Sequence, residues 1–423
     1  MNTKKIVILH YSTPPIVGGV ESVILAHVRL LSAAGFEITI VTGDGDEAAF
    51  PQGTKLVRFP ELSTRQREIV QASCELDQGK IPENFGELTA QLEIDLEPIF
   101  QSAELVIIHN VFTKHFNLPL TAALSNLLDR GLLHGGIAWC HDFTWTSDHS
   151  RSKVFPGYPW DLLRTPHAGL RYVTISKFRQ QELAELFNCP TDMIEVIYNG
   201  VNPEVLLGLS EPGLALIERL GLWSADLILL MPVRVTQAKN IELAIRLAAA
   251  LKEHNLQPKI ILTGPPDPHD PNNLAYFQSL LALRKELNVE KEMCFVYESG
   301  PEAGQPYIVD MQLVGELYRV SDALFMPSHR EGFGMPIVEA GLAGLPVFCS
   351  AIPAADELGG EEVNTFLAET DPSEVAALIL NQLEKNASWK LRRRVRQNLT
   401  WQSLFQQKIL PLLEKVILEN FKS

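Results

Sequence analysis

Cysteine is scarce and irregular in this chain: five in 423 residues, at Cys74, Cys140, Cys189, Cys294 and Cys349, with no Cys-x-x-Cys pair. An odd, widely spaced set excludes a disulfide framework or a zinc knuckle and fits a reducing compartment. Long hydrophobic runs are missing too, none approaching the ~20 residues that cross a bilayer, and no signal-peptide pattern precedes the first strand-like run. A soluble, cytoplasmic protein with at most peripheral membrane contact is the expectation. Positive charge is in deficit, Lys+Arg 36 against Asp+Glu 51 for a formal charge of −15. That excludes a general nucleic-acid binder, and any anionic ligand must be held by a few placed cations. There is no internal repeat and no low-complexity block. The sequons at Asn386 and Asn398 occur at chance frequency.

What is present is an alternation. The chain exceeds the ~250 to 300 residues at which a single core stops growing, so two domains are expected. Short apolar runs such as "KKIVILHYS", "FEITIVTGD", "AELVIIHN", "GGIAWCHD" and "RYVTIS" are separated by helix-length segments, the pattern of a parallel sheet covered on both faces. After "NCPTDMIEVIYNGVNPEVL", with two prolines and an Asn-Gly turn signal, the pattern restarts as "DLILLMPVRV", "KIILTG", "MCFVYE", "DALFMPS" and "LPVFCS". The expected domains are residues 1–203, completed by an amphipathic C-terminal helix over about 401–423, and residues 204–400. Ligands of such sheets sit beyond the carboxyl ends of the strands, so two such domains would gather their functional loops around one cleft. Residues 63–100 read as a helix-compatible insertion on the first domain. The basic run "KLRRRVR", 390–396, reads as a solvated helix face rather than a membrane or anion patch.

The stretch "SHREGFGMPIVEAGLAGLPVFCS", residues 328–350, carries the most chemistry. Its loop follows a buried strand. Pro336 suits the first position of a helix reaching about Ala343 with Gly344 as its cap, which puts Glu339 in the first turn, favourable to the helix dipole. Gly332 and Gly334 leave backbone N–H groups open to ligand oxygens. Glu331 and Glu339 form a two-point carboxylate grip. In "RVTQAKN", Arg234 and Lys239 stand between a strand and a helix, placed to clamp a diphosphate.

These segments resemble the retaining glycosyltransferases of family 4, two-domain GT-B enzymes. Glu331-Gly-Phe-Gly-Met-Pro with Glu339 is similar to their E-x7-E signature, "RVTQAKN" to their R-x4-K-N motif, "PPIVGGVE" to their Gly-Gly loop and "YNGVNP" to their interdomain Asn-Gly-Val hinge. The resemblance implies a GT-B architecture, two Rossmann-like domains facing across a cleft with the C-terminal helix returning to the first. It implies that Glu339 holds the ribose of a sugar nucleotide, and that Glu331 and the backbone of Phe333, Gly334 and Met335 contact the transferred sugar. Arg234 and Lys239, with Gly18 and Gly19, neutralise the leaving pyrophosphate. His141, directly after the strand in "AWCHDF", faces the sugar.

The implied reaction moves a hexose from a GDP-mannose- or UDP-glucose-type donor to an acceptor hydroxyl with retention, by same-face attack in which the leaving phosphate oxygen takes the proton. The implied enzyme is a hexosyltransferase needing no cofactor and no metal, its partners the nucleotide sugar and an acceptor that is a sugar, a sugar phosphate or a glycolipid. Residues 265–273 resemble the loop of synthases that glycosylate small phosphorylated sugars. Asp44-Gly-Asp46 and the set His141, Asp142, Asp148 and His149 could be written as metal sites but read as turn chemistry and irregular spacing. A glycoside hydrolase using Glu331 and Glu339, a sugar-nucleotide epimerase and a non-catalytic sensor remain the rival readings.

Overall fold

The structure, a computed structural model, describes residues 4–133, 135–267, 273–302 and 304–420. It divides into two compact units, residues 1–200 with 401–423, and residues 201–400. Among the described residues, the first unit holds seven strands: β1 (Lys5–Ser12), β2 (Glu37–Asp44), β3 (Lys55–Arg58), β4 (Leu105–His109), β5 (Gly136–Cys140), β6 (Leu170–Thr174) and β7 (Ile194–Val196). Every pair is parallel, in the order β3-β2-β1-β4-β5-β6-β7. Successive side chains of a strand point to opposite faces, and both faces here are apolar. Val7, Leu9, Val106 and Ile108 pack into one core layer. Ile6, Ile8, Leu105 and Ile107 pack into the other.

The second layer contains the chain's end: Trp401, Phe405, Leu413 and Ile417 lie with Ile6, Ile8 and Ile24. The helical C-terminal stretch, α-helical from Trp401, a π-turn over Phe405–Ile409, then α-helical to Asn420, therefore belongs to the first unit.

Residues 63–100 are not an insertion. They form the helices Arg67–Leu76 and Phe85–Gln101, and Leu92, Leu96 and Phe100 of the second one are buried in the layer beneath Val7 and Val106. The polar face of that amphipathic helix dominates its composition, which hides the apolar stripe at 92, 96 and 100.

The second unit repeats the design with six strands among the described residues: β8 (Leu227–Met231), β9 (Pro258–Leu262), β10 (Met293–Phe295), β11 (Ala323–Met326), β12 (Val347–Ser350) and β13 (Asn364–Phe366). Their order is β10-β9-β8-β11-β12-β13, again with every pair parallel. Both units thus have doubly wound, Rossmann-like sheets. In each the chain order reverses once, between β1 and β4 and between β8 and β11, and a crevice opens beyond the strand ends at such a reversal.

The basic run is not a solvated face. On the helix Ala387–Asn398, Arg396 is buried and grips Asp322 with two hydrogen bonds, 2.9 and 2.8 Å. Arg393 pairs with Asp226 at 2.6 Å, and Arg392 donates to the backbone carbonyl of Ser321 at 2.8 Å. Three arginines at i, i+1 and i+4 thereby fasten the helix to the amino ends of β8 and β11. Among the described residues no helix is long and apolar enough to cross a membrane.

Candidate active site

The reversal between β8 and β11 brings together two loops whose side chains Lys239 and Glu331, 92 residues apart in sequence, make contact. After β8 the chain runs through Arg234, a short 3-10 turn Gln237–Lys239 and Asn240 before the helix Ile241–Glu253. Asn240 adopts the left-handed conformation at φ +49° and its side chain donates to the carbonyl of Ala368 at 3.1 Å, fixing the turn that presents Lys239. After β11, His329 N–H donates to the carbonyl of Ala238 at 2.9 Å, so the two loops are tied by backbone.

On that tie the side chains meet. Lys239 Nζ lies 2.7 Å from both carboxylate oxygens of Glu331, and Ser328 Oγ donates to Glu331 Oε1 at 2.6 Å. The pair is mostly sheltered, Lys239 at 20 % and Glu331 at 9 % side-chain exposure. Arg234 is exposed on the same loop as Lys239 and has no ion pair among the described residues. The Arg234 segment is held by β9's extension: Gly264 N–H donates to Val233 O and Val235 N–H to Pro265 O, at 3.1 and 3.0 Å. A side chain at Gly264 would press on the Arg234 backbone, which is why only glycine fits there.

Glu339 lies on the helix Met335–Leu342, one residue earlier in its start than the sequence suggests, with Pro336 at the second helical position. Glu339 therefore occupies the second turn, not the first, and the helix-dipole benefit expected for it does not apply. Its carboxylate instead accepts a hydrogen bond from the Tyr318 hydroxyl at 2.7 Å. Burial first, then that contact with Glu339, pushes the Tyr318 phenol well above its ordinary range. Gly334 caps this helix at φ +91°, a conformation that side chains resist, and Phe333 and Met335 on either side are exposed.

In the first unit, Gly18 caps the helix Gly19–Ala33 and Gly19 opens it. The end is already occupied: the Glu21 carboxylate folds back over Gly18, where a Cβ would collide with it, and accepts from Ser12 Oγ at 2.7 Å. An anion at this helix end must displace a carboxylate, so Gly18 and Gly19 offer it less than a bare glycine pair would.

His141 follows β5 and is buried. Asn110, left-handed at φ +61° just after β4, accepts hydrogen bonds from His141 N–H at 2.8 Å and Asp142 N–H at 3.3 Å. The rings of His141 and His109 pack together, Nε2 to Nδ1 at 3.1 Å. Burial first, then the nearby His10 and His27, pulls His141 down to about 3, so it is neutral at physiological pH.

The metal-like sets resolve into other contacts. Asp46 caps the short turn Glu47–Ala49 through Ala48 N–H at 3.0 Å, Asp44 accepts from Ser63 Oγ, and Asp142 pairs with Arg179 at 3.1 Å. Among the described residues no three His, Cys, Asp or Glu side chains stand together as a metal site would need.

Sequence reasoning missed Ser328, Tyr318, Asn110 and His109. Ser328 sits inside the quoted loop and was within reach. Tyr318 lies mid-helix, and His109 ends an apolar strand, so nothing in their local pattern marks them. Residues 268–272 of the long loop after β9 lie outside the described residues.

Comparison with known proteins adds relatives for part of the chain. It is 31 % identical over 195 residues to an uncharacterized glycosyltransferase of Methanocaldococcus jannaschii, covering 45 % of each chain. It is 28 % identical over 217 residues to a D-inositol 3-phosphate glycosyltransferase of Thermobispora bispora, covering 51 % of this chain and 48 % of that one. The chain spans less than half the length of these curated relatives. A solved glycosyltransferase of Rickettsia africae aligns at 15 % identity and TM-score 0.38 over 99 % of both chains. Anabaena HepE in complex with UDP and glucose aligns at 18 % identity and TM-score 0.36, covering 97 % of this chain and 100 % of that one. Residues 216–400 match the family model described as glycosyl transferases group 1, and this is the stretch that supplies Arg234, Lys239, Glu331 and Glu339.

Proposed function

We propose that this protein is a GT-B-type hexosyltransferase that moves a hexose from a nucleotide diphosphate sugar to an acceptor hydroxyl with retention of configuration. One observation carries the reading: the Lys239 ammonium and the Glu331 carboxylate meet at 2.7 Å where the β8 and β11 loops converge. A sugar–phosphate linkage presents both things such a pair can hold, a phosphate oxygen for the cation and hydroxyls for the carboxylate. The group 1 match over residues 216–400 supports it.

In this reading the ion pair opens as the donor binds. Lys239 and exposed Arg234 then face the β-phosphate, and Glu331 and the 333–335 backbone face the sugar. As the anomeric carbon–oxygen bond breaks, negative charge grows on the phosphate, and a preorganised cation there is worth about 3 to 4 kcal/mol, or 10²–10³ in rate. No carboxylate is assigned as a nucleophile, so the acceptor hydroxyl attacks the anomeric carbon on the departing side and passes its proton to the leaving phosphate oxygen. Glu339, held by Tyr318, binds the ribose. A cofactor or metal has no assigned role. GDP-mannose and UDP-glucose are the donors to try first.

A glycoside hydrolase fits less well, because it needs one carboxyl as a proton donor. Both Glu331 oxygens accept hydrogen bonds from Lys239, and Glu339 accepts one from Tyr318.

For the acceptor, Lys114 favours a phosphorylated sugar. It is half-buried beyond β4, has no ion pair among the described residues, and its Nζ lies 4.9 Å above the Phe116 ring. Burial first, opposed by Asp142 and reinforced by Arg179 and Lys153, pulls its pKa down, so an anion there would be welcome.

The test is release of nucleoside diphosphate from a panel of nucleotide sugars, with and without candidate acceptors. Lys239→Ala should lower kcat 10²–10³-fold. No release from any donor, or a Lys239→Ala variant that turns over like the wild type, overturns the reading.

A further inference from the structure

A chain of buried imidazoles runs under the β1, β4 and β5 strand ends. His10 Nδ1 lies 2.9 Å from the His109 carbonyl, and because a carbonyl only accepts, His10 Nδ1 carries the proton of that bond. His109 Nδ1 lies 3.1 Å from His141 Nε2, the rings 26° from coplanar with centroids 5.4 Å apart. One proton lies between those two nitrogens, and its owner decides what the other side of His141 can do.

Two neutral arrangements exist. If His141 Nε2–H donates, His109 Nδ1 is the acceptor and His109 must carry its own proton on Nε2. That nitrogen is fully buried and has no hydrogen-bond partner. The neighbouring His27 and Trp139 rings, with centroids 5.5 and 5.9 Å from that of His109, make no hydrogen bond to it among the described residues. The result is an orphaned buried N–H, a donor that has lost its hydration with no bond in return. If His109 Nδ1–H donates instead, the orphan is a bare lone pair, which is tolerated better. The mild preference of a free imidazole for the Nε2 proton does not offset that difference.

We propose that His109 is a positioning residue that donates Nδ1–H to His141 Nε2 and so fixes His141 as the neutral tautomer with its proton on Nδ1. The inference rests on the glycosyltransferase reading for the identity of what His141 meets, but not for the tautomer itself. With Nε2 engaged, His141 offers its ligand a hydrogen-bond donor, Nδ1–H, and no lone pair. It can hold a sugar hydroxyl oxygen or a developing negative charge, and it cannot take the acceptor's proton. The arrangement also explains why His141 has a second histidine behind it rather than a carboxylate. A carboxylate would stabilise an imidazolium and make it a base, whereas a buried, neutral imidazole stabilises a neutral partner.

The experiment is selective ¹⁵N-histidine labelling of the full chain with long-range ¹H–¹⁵N correlation spectra at neutral pH. Assignment uses His141→Gln and His109→Leu. The wild type should show His141 neutral and protonated on Nδ1. In His109→Leu the donor is gone, and His141 should move toward the Nε2–H form, with kcat falling about ten- to hundredfold and donor KM unchanged. His109→Asn keeps an amide N–H near the Nδ1 position and should preserve both the His141 tautomer and most of kcat.

A wild-type His141 protonated on Nε2, or a tautomer unmoved by His109→Leu, overturns the proposal. So does a His109→Leu enzyme with the predicted tautomer change but unaltered turnover. If His109→Leu does not fold, the wild type and His109→Asn still decide the tautomer. The spectra need no turnover, so a failed glycosyltransferase assay and a failed tautomer assignment are separate results.

Discussion

At the scale of the residue, the second unit's site depends on side chains that are held before any ligand arrives. Tyr318 is the plainest case, its hydroxyl 2.7 Å from Glu339. If Glu339 binds the donor as proposed, Tyr318→Phe should raise donor KM several-fold with little change in kcat, because an untethered Glu339 must be ordered at binding; parallel steady-state titrations of both proteins show it. Gly334, at φ +91°, is a second case. Gly334→Ala forces a side chain into that conformation and should cost about 1–2 kcal/mol of stability, read as a lower midpoint in urea unfolding. Glu331 is legible in the sequence because small, conformationally special residues surround it. Tyr318 is not, because a tyrosine on an amphipathic helix looks the same whether its hydroxyl meets water or the carboxylate of Glu339.

At the scale of the element, the helix Ala387–Asn398 shows how composition misleads. Its arginines look like a solvated face, yet Arg396 and Asp322 are buried together. Breaking such a pair leaves an uncompensated charge, so Arg396→Met should destabilise the second unit by about 3–5 kcal/mol, and adding Asp322→Leu should recover a large part of that. Chemical unfolding of the single and double variants checks both numbers.

The central strands were readable for the opposite reason: β1, β4, β5, β8 and β11 are continuous apolar runs, since both of their faces are covered. The edge strands β3, β7 and β13 are three or four residues long and partly polar, and their pairing partner rather than their own sequence makes them strands. Long-range partners are equally invisible in a one-dimensional pattern, which is why Lys239 and Glu331 were each legible but their ion pair was not.

At the scale of the whole molecule, histidine is distributed unevenly in effect. Burial holds His27 and His141 down to about 3 and His115 to about 4, and pulls His10, His109 and His167 the same way. All six belong to the first unit. The unfolded chain takes up these protons near pH 6.5, while folded His27, His141 and His115 refuse them until pH 3 to 4 and the other three are shifted the same way, so these groups change nothing above pH 6.5. Below it they erode stability, by about 1.4 kcal/mol per pH unit for each of His27, His141 and His115 until pH approaches their folded values. The first unit should therefore open first on acidification, seen as amide protection factors in β1 and β4, referred to the intrinsic exchange rate at each pH, falling between pH 6.5 and 5 before those in β8. His27→Leu removes one contribution: whatever its effect at pH 7, its stability relative to wild type should improve by about 2 kcal/mol at pH 5.

The backbone leaves the first unit at Gly200 and re-enters it at Trp401, while Val201 and Thr400 bridge each other as neighbours. The 200-residue interval between them thus has its two ends side by side. A gene fragment for that interval alone should yield a cooperative, folded product, since among the described residues all six strands of its sheet lie within it. The flanking part has no such independence: a ribosome finishes β1 to β7 long before it makes Trp401, Phe405 and Leu413, so the part of one sheet face that these residues cover stays open until they are synthesised. A stop codon near position 400 should yield insoluble protein rather than a shortened, folded chain.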